Sequence, residues 1–186
     1  MAPRIKITKQ DIIDTAVDVV RKSGADALNA RTIASALDCS TQPIFSNFKS
    51  MDEVREAVLE RAIFLCNEYR TREVESGIYP EYKASGMAYI RFAKEEPELF
   101  KLLYMRDRRG ELVTKEASLF DRMESIVQGN TGLESDRARL FHLEMWAYVH
   151  GIAVMFATGY LSLDWELVSK MLTDSYLGLR KQYQME

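Results

Sequence analysis

Apolar residues recur at intervals of three and four along nearly the whole chain. No stretch shows the period of two that a half-buried strand needs. The first periodic segment opens at Thr8, which can accept from the amide of Asp11 while Asp11 reaches back. Ile12, Ile13, Ala16, Val17 and Val20 then share one face, and Arg21, Lys22 and Gly24 form the stop. Asn29 is a good cap for a second, short helix burying Ile33, Ala34 and Leu37. After the joint Asp38-Cys39-Ser40, a third helix is expected to start from a Ser40 cap, with Ile44 and Phe48 on its buried side. Ser50-Met51-Asp52-Glu53 reads as a capping box for a fourth helix. That helix continues to about Val74, and at 1.5 Å per residue it would be ~38 Å long, a candidate rod between two functional ends.

"SGIYP" (76–80) ends the rod. Helices are then expected over about 81–96, over "ELFKLLY" after a break at Pro97, and over about 113–128, 135–158 and 164–183. A basic loop "RDRRGE" and a loop "GNTGLES" separate some of them. The pattern predicts an all-α protein of about nine helices: a three-helix head over 1–51 and a six-helix body over 52–186.

Composition supports a packed chain: 47% of the 186 residues are apolar, and only 9 are glycine and 4 proline. The two cysteines, Cys39 and Cys66, belong to no paired motif and fit a reducing compartment. The opening "MAPRIKITKQ" has no apolar run of the kind a secretion signal needs, so the expected location is the cytoplasm. The net charge of −3 is unevenly spread. Residues 1–51 hold seven basic and five acidic side chains, whereas residues 52–186 hold 18 basic and 23 acidic. A mildly basic head on an acidic body permits DNA binding at one end. "MWAYVHGIAVMFATGYLSL" (145–163) carries no formal charge and has the length of a membrane span. It also contains Gly151, Thr158, Ser162 and Gly159, which reads as a helix end, and no Lys/Arg cluster flanks it. A helix buried in the protein or in an oligomer interface is the expectation, with no membrane partner.

Signals for catalysis are missing. There is no nucleophile elbow, no GxGxxG, no P-loop, no HExxH and no CxxC. The two histidines, His142 and His150, are eight residues apart on one expected helix, about 80° apart around its axis and too distant along it to share a metal. The expectation is therefore no enzyme, no metal and no cofactor.

The segment "TIASALDCSTQPIFSNF" (32–48) carries the most information. With a Ser40 cap, Pro43 falls in the first turn, where its missing N–H costs little. The exposed side becomes Thr41, Gln42, Pro43, Phe45, Ser46 and Asn47. Glutamine can pair with adenine through two hydrogen bonds, and threonine or proline can touch a thymine methyl. Pattern alone leaves two readings, a DNA-reading helix or a hairpin packed in the core.

Residues 8–58 resemble the DNA-binding head of the tetracycline-repressor (TetR) family. The resemblance rests on Thr8 opening the first helix, "RTIASAL", "STQPIFSNFKS" and "MDEVREAV", with all three inter-helix spacings in agreement. It implies a helix-turn-helix head and an all-helical body that binds a ligand and dimerises. Carried over, Arg31 would touch phosphate or a base. Thr41, Gln42, Pro43 and Ser46 would face the major groove, and Asn47 and Lys49 the backbone, with Thr32, Ser40 and Phe45 completing the surface. Three positions depart from the family pattern: Asp38 stands where glycine is usual, Phe45 where tyrosine is frequent and Met51 where a basic residue is common. Asp38 is therefore expected at positive φ. Together the departures predict weak phosphate binding and a shallow salt dependence, with base reading retained. "AYIRFAKEEPELFKLLY" (88–104) and Trp146…His150-Gly151 resemble a subgroup of the family with a Trp-His-Gly body.

The resemblance further implies a homodimer on a palindromic operator in double-stranded DNA, joined through the last two helices, and a small-molecule effector. Ala147, Gly151, Val154 and Thr158 form a small-residue face suited to pairing, with Leu167, Met171 and Leu179 on the last helix. Phe64, Met87, Phe100, Tyr104, Phe120, Met123, Trp146 and His150 are the expected lining of an apolar effector site.

Overall fold

The computed structural model describes residues 7–107 and 114–184. Among the described residues there are nine α-helices, one 3₁₀ turn (Ala25–Ala27) and no strand. The helices are α1 (Lys9–Ser23), α2 (Ala30–Ala36), α3 (Gln42–Asn47), α4 (Met51–Glu75), α5 (Glu81–Glu95), α6 (Pro97–Tyr104), α7 (Thr114–Thr131), α8 (Ser135–Ala157) and α9 (Trp165–Gln184). The chain forms two compact units: Met1–Asn67 with Glu96–Arg106, and Glu68–Glu95 with Asp107–Glu186. Only α4 contributes to both, running through Asn67 into Glu68 without interruption.

The first unit is organised around α1, against which α2, α3 and α6 pack. The Thr8–Asp11 capping box is present: the Asp11 amide donates to Thr8 Oγ1 at 3.1 Å, and the Thr8 amide donates to Asp11 at 2.8 Å. The Thr8 hydroxyl, donating to Asp11 Oδ2 at 2.6 Å, and then the Thr8 amide hold the Asp11 carboxyl below its ordinary pKa. Ile12, Ala16, Val17 and Val20 are buried as the periodicity predicts, and Ile13 is half-buried. At the far end of α1, Arg21 clamps Glu96, at the entry to α6, with two bonds of 2.9 and 2.7 Å. This bidentate pairing raises the guanidinium pKa.

In the second unit, α8 packs against α5, α7 and α9. By length and composition it is the one described helix that could cross a membrane. Packing against α5, α7 and α9 covers part of its apolar length, and Gly159, at φ +66°, follows its end as the sequence suggests. Val127, Ala138, Phe141 and Met145 form one buried cluster, closed over by Tyr82, Leu133, Tyr176, Leu179 and Tyr183. Arg91 pairs with the buried Glu73 at 3.1 Å and lies over the Trp165 ring at 4.3 Å, tying the end of α4 to α5 and α9.

Three boundaries differ from the sequence expectation. Ser40 does not cap α3. Thr41, already helical at φ −73° and ψ −10°, takes the cap position, and its carbonyl accepts from Ile44 and Phe45. Pro43 consequently lies at the second helical position, where no amide partner is lost. At the start of α4, the Glu53 amide does donate to Ser50 Oγ at 3.4 Å, but the Glu53 carboxylate accepts from the Lys49 amide at 2.8 Å rather than from Ser50. The "GNT" of the expected 129–135 loop is helical, and α7 stops only where Gly132 takes φ +72° with its amide on the Gln128 carbonyl. The part of the basic loop from residue 108 onward lies outside the described residues.

Candidate nucleic-acid interface and ligand-binding body

The α2–α3 hairpin is built from two local devices. Asn29 Oδ1 accepts from the amides of Arg31 and Thr32, at 3.0 and 3.1 Å, and the Asn29 amide donates to Thr32 Oγ1 at 3.2 Å. At the other end of α2 the Cys39 amide donates to the Ala34 carbonyl and the Asp38 amide to the Ser35 carbonyl. This double bond pattern requires a left-handed residue at Asp38. Asp38 has φ +49° and is the one non-glycine among the described residues with positive φ, as expected from its place in the joint. Its carboxylate is exposed beside Cys39, which is half-buried. Ile44 and Phe48 anchor α3 into the first unit and are essentially inaccessible.

The outward surface of the hairpin is divided by its hydrogen bonds. Ser46 Oγ donates to the Gln42 carbonyl at 2.9 Å, and Asn47 Nδ2 donates to the Pro43 carbonyl at 2.8 Å. Thr32 Oγ1 donates to the Ala27 and Asn29 carbonyls at 2.7 and 2.9 Å. These three side chains spend donors on their own backbone. Arg31, Ser40, Gln42, Phe45 and Lys49 are exposed, and Thr41 and Pro43 are half-buried. Phe45, 51% exposed, is the one large apolar side chain that α3 leaves uncovered. Lys49 extends outward, with Glu53 4.0 Å away. Met51 is half-buried.

The eight residues expected to line an effector site divide between the two units. Phe64, Phe100 and Tyr104 belong to the first. There Phe64 is exposed with Arg61 over its ring, and Phe100 and Tyr104 pack at 5.1 Å between centroids, Tyr104 reaching Cys66. Met87, Phe120, Met123, Trp146 and His150 belong to the second. Met87 and Met123 are core.

Two tyrosine–histidine pairs cross between α5 and α8, a feature that sequence reasoning missed. Tyr82 shares a 2.9 Å hydrogen bond with His142 Nδ1, and Tyr89 shares one of 2.9 Å with His150 Nδ1. The tyrosines are seven residues apart and the histidines eight, about two turns in each helix. That matched spacing was the available signal. His142 is buried, Phe120 packs on its ring at 4.4 Å, and burial drives its pKa down to about 4. Burial raises the Tyr82 phenol. Trp146 stacks on His150 at 5.0 Å with the rings 17° from parallel, and burial lowers the His150 pKa as well. Both histidines are thus neutral near pH 7.

On α8, Leu140, Leu143 and Ala147 are exposed in register with Gly151, Val154 and Thr158, extending the small-residue face by two leucines. A Cβ added at Gly151 would meet nothing within 4 Å. On α9, Leu167 and Leu177 are exposed, Met171 is half-buried, and Leu179 packs against its own chain's Phe141 cluster. Among the described residues no group of three or more His, Cys, Asp or Glu side chains could hold a metal ion.

Three solved structures share the fold over nearly their full length. A TetR-like transcriptional regulator from Rhodococcus sp. RHA1 superimposes with a TM-score of 0.72 at 17% identity, covering 95% of this chain and 97% of that one. A protein of unknown function from the same organism gives 0.72 at 21% identity, covering 97% of each chain. A TetR family putative transcriptional regulator from Vibrio parahaemolyticus gives 0.64 at 14% identity, covering 90% of this chain and 96% of that one. No curated protein is significantly similar in sequence. The family described as "Tetracyclin repressor-like, C-terminal domain" matches residues 82–175, which span α5 through most of α9. With half of its length matching that family and its helices arranged in the corresponding fold, the chain belongs to the TetR family.

Proposed function

We propose that the protein is a cytoplasmic, DNA-binding transcriptional regulator. It acts as a homodimer that represses from a palindromic operator and is released when a small apolar effector binds the body. Residues 1–51 read the DNA, and residues 52–186 bind the effector and pair with a second copy. The observation that carries this reading is the α2–α3 hairpin, capped at Asn29, turned at Asp38 and anchored by Ile44 and Phe48. It presents Gln42 and Phe45 outward with Arg31 and Lys49 nearby in sequence. The first helix of a helix-turn-helix positions the second in the major groove, and paired heads meet half-sites ~34–36 Å apart. The exposed apolar stripe of α8, with Leu167 and Leu177 of α9, is suited to the pairing. Within the body, Trp146 and His150 form the aromatic and polar group best suited to orient an effector, and Met87, Phe120 and Met123 supply apolar surface. Release requires the effector to bind two conformations unequally, and α4, continuous between the two units, is the element through which a shift would reach the head.

The test is selection of bound fragments from a random duplex pool by the full chain, followed by titration of the enriched site with small-molecule fractions of a cell extract. An enriched palindrome bound by a dimer, with affinity lowered by a fraction, supports the reading. A ligand that saturates the body and leaves operator affinity unchanged refutes the release mechanism. A second reading is favoured by Asp38, Phe45 and Met51: a dimeric small-molecule-binding protein whose head no longer holds an operator. It predicts no enriched sequence.

A further inference from the structure

We propose that Phe45 is the specificity-determining residue of α3 and reads thymine methyl groups in the major groove by apolar contact; this rests on the operator-binding reading above. Gln42, Phe45 and Ser46 lie at positions i, i+3 and i+4, on the side of α3 away from the buried Ile44 and Phe48. Ser46 and Asn47 donate to the helix's own carbonyls, so among Gln42, Phe45 and Ser46 the unspent donors are those of the Gln42 amide. Beside it stands a half-exposed phenyl ring with no hydroxyl for phosphate and no charge. A ring of this kind at the edge of bases has one distinctive apolar partner, the C5-methyl of thymine, because the other major-groove edges present donors and acceptors. Arg31 and Lys49, both exposed on either side of α3 in sequence, supply the positive charge that would hold this uncharged face against a polyanion. The half-site should therefore contain thymine under Phe45.

The experiment takes the operator enriched from a random pool and replaces each thymine of the half-site in turn by deoxyuridine, which removes only the methyl group. Binding is measured by fluorescence anisotropy for the wild-type chain, Phe45→Leu and Phe45→Ala. Loss of one particular methyl should weaken wild-type binding roughly fourfold. Phe45→Leu should keep most of that dependence, and Phe45→Ala should abolish it. Because Phe45 is half exposed, circular dichroism melts of the variants should match the wild type. Methyl dependence that persists in Phe45→Ala overturns the proposal, as does an operator indifferent to every thymine-to-uracil change. If Phe45→Ala instead lowers the oligomeric state of the DNA-free protein in sedimentation, the ring covers a contact between copies and the proposal is wrong. An empty selection rejects operator binding itself, and the proposal with it.

Discussion

The neutral, buried His142 makes stability depend on pH in a defined window. In the unfolded chain the imidazole titrates at its ordinary value near 6.5, while in the folded protein burial among Phe120 and Tyr82 lowers the pKa to about 4, against a small opposing attraction from Glu124. The unfolded state therefore binds more protons than the folded state between these values. The contribution of the lowered pKa is fully present above about 6.5 and is lost as the pH falls toward 4. A shift of this size corresponds to about 2 kcal/mol lost between neutral pH and pH 4.5, once partial solvent access to the ring is allowed for. The carboxylates titrate in the same range, so the measurement compares two proteins. Urea unfolding at fixed protein concentration is followed by circular dichroism from pH 7.5 to 4.5 for the wild type and for Tyr82→Phe/His142→Phe, which removes both hydrogen-bonding partners together. The wild type should lose about 2 kcal/mol more than the variant across this range. Parallel curves would show that His142 is protonated as readily in the folded protein as in the unfolded chain, and the burial argument would fail.

Other perturbations isolate single features. Asp38→Gly removes the Cβ penalty of the left-handed joint residue and should raise the unfolding free energy by about 0.5–1 kcal/mol, read from thermal melts. It should also strengthen non-specific DNA binding at low salt by deleting a negative charge beside the hairpin. Asn29→Ala leaves the amides of Arg31 and Thr32 without their acceptor and should cost about 1 kcal/mol by the same melts. Leu143→Glu/Leu177→Glu places charges on the exposed stripes of α8 and α9. Analytical ultracentrifugation should then show a monomer with unchanged helix content, whereas an unaltered dimer would move the interface to another face.

What proved legible in the sequence was local. The Thr8–Asp11 box, the Asn29 cap, the positive φ of Asp38 and the Gly159 stop each depend on atoms within a few residues, so residue type and spacing were sufficient. The misread boundaries were those decided by fine competition. Thr41 displaced Ser40 as the α3 cap, the Glu53 carboxylate chose the Lys49 amide over that of Ser50, and α7 continued through Gly129, Asn130 and Thr131. Asparagine, glycine and threonine disfavour helix only weakly, by about 1 kcal/mol or less each, and a helix already formed over the fifteen residues before them can carry them.

The repeat of apolar positions was enough to specify an all-helical chain, its caps and which side of each short helix faces inward, because a 3.6-residue period leaves one way to bury the stripe. It could not say which helices meet. That Glu96 closes on Arg21, that Tyr82 and Tyr89 find His142 and His150, and that Leu179 turns inward while Leu177 remains outside are consequences of pairing residues 60 to 75 apart or closing helices over a shared core. A side chain's partner across such distances is set by the packing of whole helices, and the neutral state of the buried His142 follows from that packing rather than from residue type.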